Sequence, residues 1–246
     1  MRYAPTQYKI IYSEYLEYSN KNIMKNKIIN IAIGVLIASL SVTNIFAQSS
    51  KKKDFLYSNK FSLMAGLIQP TALGGGNLEL NYFSKRIALD FSHGFSLNPP
   101  VVGDFQNQGV VLHIPYSTGF GVGYRFTQFL DVRFEPKLHS WEVYNKGETQ
   151  TDVTKIKDFK TITLGVGVYY SYFPFKNSEN TFLQGITTAT SLRYWQNVGT
   201  TLSNDEFSYN NKLTGKKETL KAPNIGVANT PIIFNIAIGY TFGGKN

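Results

Sequence analysis

The residues able to carry acid–base or metal chemistry are few. There are three histidines, His93, His113 and His139, and no cysteine. That composition removes thiolate nucleophiles, disulfides and thiolate metal sites. His139 is followed by Ser140 and Glu142, a run that invites a serine–histidine–acid reading. In an extended strand, adjacent side chains point to opposite faces, so His139 and Ser140 cannot share a proton there. An interior carboxylate such as Glu135 is the expected partner of His139. His113 falls in an expected loop and has no ligand spacing around it. Gly74-Gly75-Gly76 lacks the strand-to-helix context of a phosphate loop and reads as a turn. No catalytic, cofactor-binding or metal site is predicted.

The richer polar pattern lies in 130–141. Leu130, Val132, Phe134, Pro136 and Leu138 alternate with Asp131, Arg133, Glu135, Lys137, His139 and Trp141. Same-phase positions in other segments add Glu79, Asp90, Arg125 and Arg193. The acids Glu79, Asp90, Asp131 and Glu135 are matched by Arg125, Arg133, Lys137 and Arg193, so the signs cancel. Buried charges are tolerable when paired and hydrogen-bonded. These eight residues are therefore read as the interior charge network of a closed barrel.

The elements that would position them share a period of two, the mark of strands with unlike faces. Ile162, Leu164, Val166, Val168, Tyr170 and Tyr172 alternate with small or polar residues, as do Tyr116 to Phe126 and Ile232 to Phe242. Further strands are expected near Phe61–Pro70, Asn77–Phe83, Arg86–Leu97, Leu130–Tyr144 and Phe182–Val198. Together these predict an all-β, antiparallel, up-and-down transmembrane barrel of about eight strands. The links Ser84-Lys85, Thr127–Phe129 and Lys176–Asn180 are short, whereas Asn98–Pro115, Asn145–Asp158 and Gly199–Thr230 are long and polar. Short turns at one end and long loops at the other are how bacterial barrels sit, with the short side periplasmic. Pro136 and Pro174 are expected at bulges or strand ends, because a missing N–H breaks a ladder. His93 falls awkwardly on the lipid-facing phase. The glycines facing inward in 117–125 and 161–171 are expected to leave room for long Arg and Lys chains.

Upstream, Met24–Lys27 is basic, Ile28–Val42 is apolar, and the stretch ends on Ala47. That order is a secretory signal peptide, with residues 24–47 removed and Met24 read as the initiator. Residues 1–23 then form a non-native extension, 48–60 a basic periplasmic tail, 61–242 the barrel and 243–246 a C-terminal tail. Loss of Met1–Ala47 takes five basic residues (Arg2, Lys9, Lys21, Lys25, Lys27) and two acidic ones (Glu14, Glu17), lowering the formal net charge from +9 to +6. Aromatic residues, 15% of the chain, gather near strand ends, where rings favour the headgroup level.

The segment Phe234-Asn235-Ile236-Ala237-Ile238-Gly239-Tyr240-Thr241-Phe242 resembles the terminal strand of OmpA/OmpX-like outer-membrane barrels. Gly243–Asn246 displace the family's terminal aromatic position. The resemblance spans Phe61–Phe242 as a pattern. It implies a fold and a bacterial outer-membrane location, with no catalytic residues to carry over. The His-x-Ser pair of lipid A deacylase barrels is not matched at His93-Gly94-Phe95 or His139-Ser140-Trp141. The functional expectation is a non-enzymatic barrel serving envelope structure, adhesion or partner binding, with a lipid A-modifying enzyme or a narrow pore as alternatives. Outer-membrane lipid, lipopolysaccharide and an envelope protein are the expected partners; nucleic acid is not, since no base-reading motif is present. In the longest loop, Asp205, Glu206, Phe207 and Tyr209 are the expected contact surface.

Overall fold

A computed structural model describes residues 59–100, 105 and 107–243. The expected upstream extension, the signal peptide, the tail through residue 58 and residues 244–246 lie outside the described residues. The strands are β1 (Lys60–Gly66), β2 (Gly76–Ser84), β3 (Ile87–Leu97), β4 (Val110–Arg125), β5 (Leu130–Asn145), β6 (Lys155–Tyr172), β7 (Ile186–Thr200), β8 (Glu206–Asn210), β9 (Lys217–Lys221) and β10 (Ile232–Phe242). A one-turn helix, α1 (Thr181–Gln184), precedes β7. Lys60, expected in the tail, is the first residue of β1.

Eight strands close into one antiparallel barrel. Each of β1 to β6 pairs with its successor, and β10 joins β7 to β1. Closure removes every sheet edge, so backbone groups are satisfied within the wall. β8 and β9 form a separate two-stranded hairpin inside the long link between β7 and β10. The β1–β2 connection turns through Gln69–Leu73 and ends on Gly74, whose φ of 69° suits a residue without Cβ.

The strands differ in height. β4, β5 and β6 run for 16, 16 and 18 residues, against 7 for β1 and 9 for β2. Part-way up the tall wall, the polarity of its faces inverts. Below Leu138 and Ile162 the outward side chains are Val132, Phe134, Leu164, Val166 and Val168, and the inward ones are charged or small except for Tyr169. Above that level Ser140, Glu142, Asp158 and Lys160 face out, while Trp141, Val143 and Phe159 are buried. Leu130–Leu138 and Ile162–Tyr172 have the length that a tilted strand needs to span a hydrocarbon layer, roughly 9–11 residues.

Of the two prolines expected at bulges or strand ends, one departs from that expectation. Pro136 sits mid-strand in unbroken register with β6, opposite Leu164. The register shift on β4 falls instead between His113 and Ser117, around Pro115. That bulge reverses the phase of β4: Val110, Leu112 and Ile114 face in, whereas Phe120, Val122 and Tyr124 face out. β4 therefore starts at Val110 rather than near Tyr116, and His113 is a strand residue, not a loop one. Pro174 follows the end of β6, as a strand terminator should.

Inward glycines make room for the larger interior chains. A Cβ on Gly165 would strike the Trp195 ring and the Tyr194 carbonyl oxygen; one on Gly121 would strike the Asp90 carboxylate. Overpacking a closed core costs about 1–3 kcal/mol. Gly165→Val is expected to lower unfolding free energy by about that amount in a urea titration of the folded barrel.

Candidate functional site

The lower interior is built around Arg133, which is 2% exposed. Its Nε donates to Asp131 Oδ1 at 2.5 Å, and Nη2 to Asp131 Oδ2 at 3.3 Å. Nη1 donates to Asn81 Oδ1 at 2.5 Å, Glu79 Oε1 at 3.2 Å and Asp90 Oδ2 at 3.3 Å. The guanidinium also lies 3.9 Å from the centroid of the Tyr169 ring, an attraction worth about 2 kcal/mol when desolvated. Arg193 closes the other side of Glu79, donating from Nη2 to Oε2 at 3.3 Å, and donates from Nε to Ser191.

A second centre forms on Glu135, which is fully buried. It accepts from Tyr169 Oη at 2.5 Å and from Trp195 Nε1 at 3.1 Å. Lys137 Nζ lies 3.8 Å from Glu135, donates to Ser92 Oγ and packs 4.3 Å over Trp195. The structure thus gathers Glu79, Asp90, Asp131, Arg133, Glu135, Lys137 and Arg193 into one connected interior cluster. Arg125 stands apart: its guanidinium rests on Phe83, 5.0 Å from the centroid, and Nη1 is unbonded. Tyr169 and Trp195 complete the cluster, and their inward phase, shared with Ser171 and Arg193, marks both in the sequence.

His139 departs from its expected partner. Glu135 is engaged elsewhere, and the fully buried His139 ring bonds Ser117 Oγ at 2.8 Å through Nδ1 and Thr163 Oγ1 at 2.9 Å through Nε2. Two hydroxyls from the flanking strands satisfy both ring nitrogens, so no acid is needed. His93 does face outward, where its Nδ1 meets Thr118 Oγ1 at 2.7 Å.

Above the polar cluster the interior is apolar, with Leu97, Ile114, Trp141, Val143 and Phe159 forming its lining. The β8–β9 hairpin seals it. Phe207 and Tyr209, each 4% exposed, and Leu220 turn down into this core, and Tyr209 Oη donates to the Gln108 carbonyl at 2.7 Å. Two of the four residues expected on a contact surface, Phe207 and Tyr209, are therefore interior anchors; Asp205 and Glu206 are exposed. The signal was present in the alternation of Glu206-Phe207-Ser208-Tyr209-Asn210, with Gly215 at φ 68° in the turn. The opposite face of the hairpin is polar, with Ser208 and Thr219 hydrogen-bonded at 2.9 Å.

Two examples stand for the solved structures that are similar to this chain. One is the N-terminal β-barrel domain of Pseudomonas aeruginosa OprF, 13% identical, covering 75% of this chain and 97% of that chain with a TM-score of 0.35. The other is a major outer membrane protein from Thermus thermophilus, 14% identical, covering 75% and 99% with a TM-score of 0.43. No protein-family model and no curated protein sequence matches the chain.

Outside the apolar band, a polar knot ties β4, β5 and β6 together. Glu142 Oε2 accepts from His113 Nδ1 at 2.9 Å and Tyr144 Oη at 2.8 Å, and Oε1 from Lys155 Nζ at 3.1 Å. Burial alone would raise the Glu142 pKa, but the bonds from His113, Tyr144 and Lys155 outweigh it and hold the carboxyl below its ordinary 4.5. Tyr144 is pushed up to about 12, by desolvation and by its bond to Glu142. A depressed carboxyl contributes stability that is full above the unfolded value and is lost as pH falls through the folded one. Amide protection at the tops of β5 and β6 is expected to fall as pH drops below 4.5. In Glu142→Gln, hydrogen exchange should show no such dependence.

Proposed function

We propose that this chain is a non-enzymatic outer-membrane barrel of a bacterium, displaying its long-loop end outside the cell. In that setting it serves envelope structure, adhesion or partner binding. The observation that carries this reading is the inversion of polarity along β4, β5 and β6. A protein dissolved in water has no reason to expose Phe120 at 60%, Phe134 at 46% and Val166 at 51% while burying nine charged side chains. A wall bathed in hydrocarbon has that reason, since each outward apolar chain stays in its preferred medium. Above the band the solvent is water, and the ordinary arrangement of a soluble β-protein returns.

Aromatic pairs edge the band at the short-turn end, including Phe61 with Tyr82 at 4.9 Å and Tyr240 with Phe242 at 4.7 Å. Lys157 and Lys160 are exposed just beyond the opposite edge, where the phosphates of lipopolysaccharide would lie. A filled interior under an apolar plug favours a closed barrel over a conducting pore. The firmly anchored β8–β9 hairpin offers its polar face, Glu206, Ser208, Asn210, Lys217, Thr219 and Lys221, to a partner in the cell envelope or beyond it.

The absence of cysteine allows a direct topology test. Ser208→Cys is expected to react with a membrane-impermeant maleimide on intact cells, and Asn177→Cys only after the outer membrane is opened. The reverse pattern, or reaction of both in the soluble periplasmic fraction, would remove this reading.

A further inference from the structure

The short-turn end carries an arc of cations along one side. Lys85 and Arg86 occupy the β2–β3 turn, Lys176 lies in the turn after β6, and all three are exposed. Strands β2 to β6 are successive neighbours, so these turns adjoin with the β4–β5 turn between them. The Arg86 guanidinium lies 5.8 Å from the centroid of Tyr124, and Lys176 Nζ 5.5 Å from that of Phe129. Beneath them Tyr124 meets Phe126 at 5.2 Å, and Phe129 meets Tyr170 at 6.2 Å. Among the described residues, the ion pairs involve none of these three cations. The acid closest in sequence within these turns is Glu179.

We propose that this arc binds the phosphate of anionic phospholipid headgroups in the leaflet that the short-turn end meets; the inference rests on the membrane reading above. Arg86 lies against Tyr124, which points out of the wall and is 48% exposed. The charge is therefore placed beside the barrel, at the rim of the apolar band, rather than along its axis toward a periplasmic macromolecule. That is headgroup depth, where aromatic rings anchor and basic side chains extend their charge into the interface. A lysine or arginine near an anionic membrane surface changes lipid affinity severalfold, and three acting together compound the effect.

The test compares the wild-type protein with Lys85→Gln/Arg86→Gln/Lys176→Gln in micelles doped with phosphatidylglycerol or phosphatidylcholine. Native mass spectrometry reads the lipid retained, and heat-modifiable gel migration reads folding. The folded wild-type barrel is expected to retain phosphatidylglycerol at least about fivefold better than phosphatidylcholine. The triple variant should fall to near parity, whereas Lys146→Gln/Lys212→Gln/Lys216→Gln, altered in the exposed loops of the other end, away from the apolar band, should keep the preference. Folded wild-type barrels without a preference, or an equal preference in the first triple variant, overturn the inference. So does a preference abolished by millimolar inorganic phosphate, which assigns the arc to free phosphate. Cation-dependent binding to cell-wall sacculi without lipid selectivity overturns it as well. Failure of the wild type to fold in any micelle or bilayer overturns the membrane reading itself, a result distinguishable from folded barrels lacking selectivity.

Discussion

Everything in this structure depends on charge cancellation inside a closed wall. An eight-stranded barrel has an interior only wide enough for side chains, and an ion left alone there costs several kcal/mol. Arg133 donates to Asp131, Glu79, Asp90 and Asn81 at once, Arg193 and Lys137 pair with Glu79 and Glu135, and Arg125, buried against Phe83, supplies the fourth cation for the four carboxylates. The pairings cross the lumen from β5 to β2, β3 and β7, so the cluster also ties opposite walls together. Removing one member of such a set is far more damaging than its net worth suggests, about 3–5 kcal/mol, because the partners stay buried.

The same constraint divides the molecule into two storeys with opposite logic. In the lower storey the outer face is apolar, so little hydrophobic material is left to fill the lumen, and polar pairing does the filling. In the upper storey the outer face is polar, and the lumen is packed with Trp141, Phe159, Phe207 and Leu220. The boundary passes between Leu138 and Ser140 on β5 and between Lys160 and Ile162 on β6. The hairpin belongs to the upper storey. Its apolar face completes that core and its polar face meets solvent, which turns a long connection into a fixed platform.

The lower storey was readable from sequence because strict alternation survives there. Within β5, β6 and β10 every second residue is apolar, and the complementary positions name the interior acids and bases. The upper storey was harder to read for two physical reasons. At Pro115 a bulge reverses phase, so the apolar run Val110–Ile114 looks like loop when counted from Tyr116. On β5 the inward face simply changes from charged to apolar at Trp141, with no break in the pattern to announce a new environment. Phe207 and Tyr209 were recognised as special but taken for exposed residues, because a short polar-apolar hairpin needs a neighbouring core before its buried face is evident. Hydrogen-bond partners such as Ser117 and Thr163 for His139 depend on the register between strands, which one chain's alternation does not specify.

The central claim is that hydrocarbon surrounds the lower wall while the lumen is sealed from it. Nitroxide labels placed singly along β10, at Phe234, Asn235, Ile236, Ala237 and Ile238, test this directly in a bilayer. Collision with oxygen, which concentrates in hydrocarbon, should rise at Phe234, Ile236 and Ile238 and collapse at Asn235 and Ala237. Uniform accessibility along the strand, or high oxygen collision at Asn235 and Ala237 with protection at the three apolar positions, would contradict the account.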